Sequence, residues 1–195
     1  MNEISNKKRG VSVRDAAQTQ KRILAAAQTR FSLCGYDSVG TRDIAADAGV
    51  DAALINRYFG SKEKLFAAAI KGGFDVAAHL PPELDNLGAY LVDQILKDDI
   101  EDDEEQHPFD ALGMLLHQTV NPKIAMLIAD SFHAEFISPL SKLLSGKDTE
   151  ARAALIASYV IGLATMRHRL ASKALSCKEA KQIAALAINA CVEAR

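Results

Sequence analysis

Apolar residues recur along this chain every three to four positions, which is the spacing of amphipathic helices rather than of strands. Runs of alternating β-branched and aromatic residues are missing, and so are Asn-Gly hairpin turns. The pattern therefore predicts an all-α protein. Its first helix starts near Asp15 and ends at Gly35, a glycine in the usual position just beyond a helix C-terminus. The apolar stripe of that helix consists of Ala17, Ile23, Leu24, Ala27, Phe31 and Leu33.

Capping residues and glycines divide the next stretch into short helices. Each of three helical patterns begins after a residue suited to cap a helix N-terminus, namely Thr41, Asp51 and Ser61. The first two patterns end at glycines, Gly49 and Gly60. The predicted second and third helices cover residues 42–48 and 52–59. The fourth starts after Ser61, continues to about residue 71, and resumes over 74–79 after a glycine pair, until two prolines at 81 and 82 end it.

The rest of the chain is predicted to be a helical body over residues 65–195, behind an N-terminal head over residues 1–64. Further helices are expected at 83–96, 109–119, 122–144 with a bend at Pro139, 149–171 and 177–193, which gives about nine helices in all. An acidic run at 98–105 is predicted to be a solvated loop. Residues 1–14 are predicted to be a disordered basic arm.

Composition agrees with a helical, globular chain. Of the 195 residues, 49% are hydrophobic and 25% are charged, while Gly (11) and Pro (5) are few. No apolar run reaches the length of a membrane span, and the first residues lack the apolar stretch of a secretory signal. Three widely spaced cysteines, Cys34, Cys177 and Cys191, are expected to be reduced. The prediction is a cytoplasmic protein with no membrane partner.

The net charge of −2 is unevenly distributed along the chain. Residues 1–64 carry 11 Lys and Arg against 7 Asp and Glu, whereas the remaining residues carry 12 against 18. A basic head on an acidic body is the charge layout expected when only the head meets a polyanion. This asymmetry disfavours a helical adaptor that binds only protein.

Residues 41–60, TRDIAADAGVDAALINRYFG, carry the signature of a helix-turn-helix. Ala45 is small where two helices must touch, and Gly49 supplies the left-handed residue that a tight turn requires. Any short corner between helices has such a pair, but here the apolar residues that would hold the second helix in place also occur at consistent spacing. These residues are Ile44, Val50, Ile55 and Phe59.

The stretch from Ile23 to Phe66, which contains the run FSLCGYDSVGTRDIAADAGVDAALINRYFGSKEKLF, resembles the DNA-binding head of the TetR family. In that family Phe-x-x-x-Gly-Tyr precedes Thr-x-x-x-Ile-Ala, Gly-Val, a recognition helix ending in Tyr-x-x-Phe, and Ser-Lys-Glu-x-Leu. The resemblance implies a homodimeric transcription regulator, most often a repressor that a small-molecule ligand releases from a palindromic operator. It implies no cofactor. Asn56 departs from the family, which most often has tyrosine there, and Leu54 stands where threonine is frequent.

Position and resemblance together assign nine residues to DNA contacts. Thr41 and Arg42 open the second helix towards phosphate, while Tyr58 and Lys62 clamp the backbone. Asn56 can pair with both N6 and N7 of an adenine, whereas Arg57 either reads guanine or binds phosphate. The residues expected to face the major groove are Asp51, Ala52, Ala53, Asn56 and Arg57. The N-terminal arm either trails along the DNA or is a solvated tail; its cations are Lys7, Lys8, Arg9 and Arg14.

The last two helices suggest a dimer interface. The helix over 149–171 is apolar nearly all round its middle, whereas a surface helix has one polar side. Pairing of both helices with those of a second chain would give a four-helix interface, as the family resemblance implies; a buried monomer core is the alternative. The small-residue stripe of the first helix is Ala154, Ser158 and Gly162. The stripe of the second is Ala180, Ile183, Ala184, Ala187 and Cys191.

Six residues are predicted as tentative contacts for a small-molecule effector. Ligand pockets are mostly apolar with a few polar groups, and the helices of the body contain such a mixture. Each of these side chains fits an ordinary core position at least as well. They are Met114, His117, Met126, Phe132, His133 and Phe136.

No catalytic or metal-binding arrangement occurs in the sequence. It lacks His-Glu-x-x-His, Cys-x-x-Cys and a serine nucleophile elbow. The loop from Gly35 to Thr41 lacks the lysine of a phosphate-binding loop. A helical enzyme is therefore disfavoured, and neither a metal nor a cofactor is predicted.

Overall fold

A computed structural model describes residues 3–76, 80–81, 84–96, 117 and 119–193. Over these residues the chain forms α-helices with short 3-10 and π turns and contains no β-strand, so the prediction of an all-α fold is confirmed. Packing divides the chain into two units, of which the first is Met1–Gly73 with His107–Ile128 and the second is Phe74–Gln106 with Ala129–Arg195. The first unit is thus not one continuous N-terminal stretch.

The first unit contains four consecutive helices, α1 (Glu3–Ser38), α2 (Thr41–Asp47), α3 (Ala53–Phe59) and α4 (Lys62–Ile70). Helix α6 (Pro122–Phe132) starts in the first unit and ends in the second. The second unit also contains α5 (Leu87–Ile95), α7 (Ser138–Leu143), α8 (Thr149–Ala164) and α9 (Lys178–Glu193). Its shorter elements are 3-10 turns at Leu84–Asn86 and Lys173–Ser176 and π turns at His133–Ile137 and Thr165–Arg169.

Helix α1 starts far earlier than predicted. It begins at Glu3, so the disordered arm predicted over residues 1–14 is wrong for residues 3–14. Lys and Arg are good helix formers, and the single Gly10 costs only about 1 kcal/mol, so the helical register continues backwards through the basic residues. Gly35 interrupts the helix as predicted, with φ 72° and ψ 169°, a region that only glycine enters readily. In the apolar stripe Ile23, Ala27 and Phe31 are fully buried, but Ala17 and Leu33 are exposed, contrary to prediction.

Three predicted N-caps have different outcomes. Ser61 caps α4, since its Oγ accepts a hydrogen bond from the Lys64 N–H at 3.2 Å. Thr41 is already helical; Gly40 takes the cap position of α2, and its N–H donates to the Asp43 carboxylate at 2.9 Å. Helix α3 starts one residue later than predicted and Ala52 takes its cap position, while the Asp51 carboxylate accepts a hydrogen bond from the Ala53 N–H at 2.7 Å.

Helix α4 ends at Ile70, one residue before the predicted limit, and the helical resumption predicted over 74–79 is wrong at Phe74 and Asp75, whereas Val76 lies in a 3-10 turn. Gly72 has φ 77°, and Phe74 and Asp75 are not helical. Of the helix predicted at 109–119, only residues 117 and 119 are described, and neither is helical. The acidic run at 98–105 and Met114 lie outside the described residues.

A π turn lies in the region where a bend at Pro139 was predicted. The π turn His133–Ile137 separates α6 from α7 and immediately precedes Pro139, which lies in the first turn of α7. Proline has no N–H, and its ring clashes with the carbonyl four residues earlier, so a wider turn at this point relieves both problems. A second π turn follows α8 and ends the helix near Leu170, close to the predicted limit.

A very close helix crossing sets the orientation of α9 within the second unit. A Cβ atom on Gly88 of α5 would lie 2.1 Å from the carbonyl oxygen of Ala185, so only glycine fits at this crossing. The Gly88 N–H, at the start of α5, donates to Oδ1 of Asn189 at 2.7 Å. The side of α9 that contains Ala185 and the buried Ile188 therefore faces the unit's own core.

The opposite sides of α8 and α9 are exposed. On α9 the exposed apolar residues are Ile183 and Leu186, at 68% and 69% exposure. Of the predicted stripe, Ile183 is exposed, and the other four members are half-buried: Ala180, Ala184, Ala187 and Cys191. On α8 the predicted small-residue stripe is exposed, and no charged residue lies on that side between Ala151 and Met166. Its exposed residues are Ala151, Ala154, Leu155, Ser158, Tyr159, Gly162 and Met166.

Arg152 is the one charged side chain buried among the described residues. Its guanidinium donates to backbone carbonyls: Nε to Cys191 at 2.8 Å, Nη1 to Ser145 at 2.6 Å and to Lys147 at 3.2 Å, and Nη2 to Val192. Two of these carbonyls belong to the last turn of α9, where no intrahelical donor is available. Arg152 of α8 thus caps the C-terminus of α9, where a positive charge is also favourable.

Candidate DNA-binding site

The turn between α2 and α3 has the geometry that its sequence predicts. Ala45 is 2% exposed, Gly49 has φ 61°, and the Val50 N–H donates to the Ala45 carbonyl at 2.9 Å. Ile44 and Ile55 are fully buried and tie the two helices to the core, as predicted. The other two predicted anchors, Val50 and Phe59, are only half-buried.

Two arginines of α1 hold this turn in place. Arg22 donates from Nη2 to the carbonyls of Ala48 and Gly49, the latter at 3.2 Å. Arg30 forms a bidentate ion pair with Asp47 at the end of α2, with Nη2 and Oδ1 2.8 Å apart. The hydrogen bond from Arg30 lowers the pKa of the Asp47 carboxyl. Both arginines are thus engaged within the protein.

The sequence shows Arg22 and Arg30 only as two cations of the basic head; it does not predict that they hold the turn between α2 and α3. Their partners lie 17 or more residues away along the chain. No spacing rule within one helix links residues so far apart. The ion pair with Asp47 offsets the positive charge of Arg30, whereas Arg22 keeps its charge because its partners are neutral carbonyls.

The predicted DNA contacts fall into two groups. Ala53, Asn56 and Arg57 lie at i, i+3 and i+4 of α3, on its exposed side, opposite the buried Ile55. The remaining exposed residues of the set are Arg42 and Asp51, and the half-buried ones are Thr41, Ala52, Tyr58 and Lys62.

Lys62 rests on an aromatic ring that sequence analysis did not single out. Its Nζ lies 4.1 Å from the centroid of the Tyr36 ring. Burial lowers the pKa of Lys62, although the carboxylates of Asp37 and Glu63 act in the opposite direction. Burial, with a further contribution from Glu63, raises the pKa of Tyr36 to about 12. A cation over the face of a ring is a favourable arrangement.

A short segment before α6 also packs on α1. A ring nitrogen of His117, Nε2, lies 2.9 Å from the Ser32 carbonyl oxygen, and the Val120 N–H donates to the Asp37 carboxylate at 2.9 Å. Ile124 of α6 is 1% exposed within the same unit. Nothing in the sequence pattern marks this segment, because its partners are more than 80 positions away.

The described residues among the predicted effector contacts belong to both units, with His117 and Met126 in the first and the other three in the second. Phe132 and Phe136 stack with ring centroids 5.1 Å apart, and Phe74 meets Phe132 edge-on at 5.5 Å. His133 is exposed and its Nε2 lies 2.8 Å from Oε1 of Glu150. Met126 is also exposed, and His117 contacts α1. The effector-binding role of these residues stays a prediction.

Within the part of the chain that the structure describes, every helix is too short or too polar to span a membrane. The described residues contain no group of three or more His, Cys, Asp or Glu side chains arranged to hold a metal ion.

Comparison with known proteins yields two family matches. Residues 23–69 match the family described as bacterial regulatory proteins of the tetR family. Residues 85–190, more than half of the chain, match the tetracyclin repressor-like C-terminal domain. The first match covers the helix-turn-helix and the second covers the described parts of α5 to α9.

One relative, matched over a short stretch, agrees with these matches. The HTH-type transcriptional dual regulator CecR of Shigella flexneri is 47% identical over 51 residues, which are 26% of this chain and 22% of that protein. The chain thus matches about a fifth of that relative's length.

Solved structures match over most of the chain. A TetR-family regulator from Streptomyces coelicolor A3 is 26% identical with a TM-score of 0.59, over 90% of this chain and 95% of that one. A putative TetR-family regulator from Rhodococcus sp. shares the fold at 18% identity with a TM-score of 0.63, over 91% of this chain and 100% of that one. The chain contains a helix-turn-helix in which one side of α3 is exposed, and its two family matches together span most of the sequence. The chain therefore belongs to the TetR family of DNA-binding transcriptional regulators.

Proposed function

We propose that this regulator is a homodimeric repressor that a small-molecule effector releases from a palindromic operator. The observation that carries the proposal is the uncharged exposed side of α8, together with the exposed Ile183 and Leu186 of α9, a helix that packs against α8. Two-fold pairing of such a surface would bring two copies of α3 to two half-sites of one operator, as helix-turn-helix dimers require.

Helix α3 is proposed to read bases in the major groove through Ala53, Asn56 and Arg57. Their common exposed side and the absence of an internal hydrogen bond from the Asn56 side chain among the described contacts support this role. Asp51 is proposed to remain beside the groove while its carboxylate accepts a hydrogen bond from the Ala53 N–H. Thr41, Arg42, Tyr58 and Lys62 are proposed to bind phosphates, and Ala52 to pack at the edge of the groove.

Replacing Asn56 by alanine is expected to relax base preference at one position of each half-site. A bidentate amide–adenine pair discriminates between bases by about 1–3 kcal/mol, or roughly five- to a hundred-fold. Binding to a panel of operators substituted one position at a time would measure this preference. The control is Lys64→Gln, which removes an exposed cation of α4 and should weaken binding to every operator sequence by the same factor. An equal loss on every operator from Asn56→Ala would contradict base reading by Asn56.

The effector is proposed to bind the second unit, where Phe74, Phe132 and Phe136 supply aromatic surface. A transcriptional regulator of the same fold from Saccharomonospora viridis, 21% identical over 86% of this chain, has a solved structure in complex with choline, so the fold can hold a small molecule. Release from DNA is proposed to involve α4, which ends before the positive-φ Gly72. The effector would favour the conformation whose two α3 helices do not match the operator spacing.

A gel-shift experiment with DNA from upstream of the regulator's own gene tests the DNA-binding part of this proposal. Binding is expected to weaken steeply with salt: the logarithm of the association constant should fall with the logarithm of salt concentration, with a slope of roughly −0.9 per neutralised phosphate. An enzyme or a protein-binding adaptor would give no shift at either of two salt concentrations. A transcription assay with and without the bound regulator then separates repression from activation, and increased transcription would contradict the proposed repressor.

A further inference from the structure

We propose that Tyr36 is a positioning residue for operator binding: its ring face holds the Lys62 ammonium in place, so that an operator phosphate meets a preorganised, partly dehydrated cation. This inference rests on the proposed contact between Lys62 and phosphate. It assigns a role in DNA affinity to a residue of α1 that lies in the core rather than on the DNA-facing surface.

The Tyr36 ring is itself held in one orientation. It is 8% exposed and belongs to a cluster of three rings, stacked on Phe31 at 6.0 Å and edge-on to Phe66 at 5.2 Å. Phe31 and Phe66 are fully buried and contact each other at 4.9 Å. A ring braced in this way offers a stationary face to Lys62, whose Nζ lies 4.1 Å from its centroid.

Lys62 occupies the first position of α4, directly after the capping residue Ser61. Helix N-termini favour phosphate, so a cation placed there adds to an already suitable site. The ammonium group is partly dehydrated by burial, while the nearby carboxylates of Asp37 and Glu63 favour its charged form. Lys64, two residues further on, is exposed and shows no comparable ring contact among the described residues.

Preorganisation has a direct effect on affinity. A free lysine side chain loses rotamer freedom and water when it binds phosphate, and both losses weaken binding. The ring contact imposes part of these losses when the protein folds, before DNA arrives. Because the ring covers one side of the ammonium, donors on the other side remain for a phosphate oxygen.

A double-mutant cycle separates this role from a purely structural one. Operator affinity of the full-length protein is measured by fluorescence anisotropy for wild type, Tyr36→Leu, Lys62→Gln and the double variant. Tyr36→Leu is expected to weaken binding about three- to ten-fold, the size of a partly buried cation–π contact. In the Lys62→Gln background the same change is expected to have no effect. Tyr36→Phe keeps the ring face and should bind like wild type.

Lys64→Gln provides the matched background for this cycle. In the Lys64→Gln background, Tyr36→Leu should still weaken operator binding by the full three- to ten-fold, because Lys64 does not rest on the ring. An equal loss from Tyr36→Leu in the Lys62→Gln and Lys64→Gln backgrounds would show a general packing defect and overturn the proposal. If Lys62→Gln alone leaves affinity unchanged, the proposed phosphate contact of Lys62 fails first and the positioning role fails with it.

A measurement on the wild-type protein covers the case in which Tyr36→Leu does not fold. Protons beside the Lys62 ammonium lie over an aromatic face, so their NMR resonances should be shifted upfield relative to those of Lys64, both free and bound to operator. Equal chemical shifts for the two lysines would overturn the proposal, since Lys62 would then not rest on the ring.

Discussion

Replacing Leu186 by glutamate is expected to convert the dimer into a monomer and to lower operator affinity by more than about a hundred-fold. Burial of a leucine contributes about 1.5–3 kcal/mol, and a two-fold interface loses that contribution twice. The introduced carboxylates would also have to leave water at an apolar contact, which adds to the cost. A monomer would then hold only one half-site, and the lost second half-site accounts for most of the affinity.

Light scattering after gel filtration gives the molar mass, and anisotropy with operator DNA gives the affinity. Gln94→Glu adds the same charge at an exposed position of α5, outside the proposed interface, and should leave both quantities unchanged. If Leu186→Glu remained a dimer with wild-type affinity, the exposed side of α9 would not be the interface. Wild type must itself be a dimer at the concentrations compared.

Replacing Arg152 by methionine is expected to lower the free energy of unfolding by about 3–5 kcal/mol, the range observed when one partner of a buried charged network is removed. Methionine fills the volume of the side chain but donates no hydrogen bonds. The carbonyls of Ser145, Lys147, Cys191 and Val192 would then lose their donor, and buried acceptors without donors are costly.

Urea unfolding followed by circular dichroism measures this loss, at matched protein concentration because dimerisation contributes to stability. Lys142→Met removes an exposed cation of α7 and should change the unfolding free energy by less than about 0.5 kcal/mol. Arg152→Lys retains the charge, but a compact ammonium cannot span the four carbonyls, so it should recover only part of the stability. A loss for Arg152→Met no greater than that for Lys142→Met would contradict the capping role.

Sequence predicted best those features that depend on local backbone geometry. Ala45, Gly49 and the Ser61 cap could be recognised because each requirement lies within a few residues of the next. The exposed side of α3 also followed from helical period alone. The start of α1 at Glu3 could not be predicted in the same way, because favourable helix propensity alone does not decide the state of a charged segment that has no apolar stripe.

The features that sequence did not predict depend on partners far along the chain. Lys62 could be assigned to DNA by its position, but its contact with Tyr36 requires the packing of α1 against α4. Arg152 appeared as an interruption of an apolar helix rather than as a cap for α9. The buried side of α9 could not be predicted, because the Gly88 crossing that selects it involves residues about 100 positions apart.

The discontinuous first unit bears on the construction of chimeric regulators. A hybrid that joined residues 1–73 of this chain to the sensor of a relative would leave the native His117–Ile128 segment behind. The new sensor would have to supply an apolar side chain where Ile124 is buried, a backbone donor for Asp37 and a partner for the Ser32 carbonyl. Grafting residues 117–128 together with the N-terminal stretch would keep these contacts, so a DNA-binding cassette from this protein is best transplanted as two pieces.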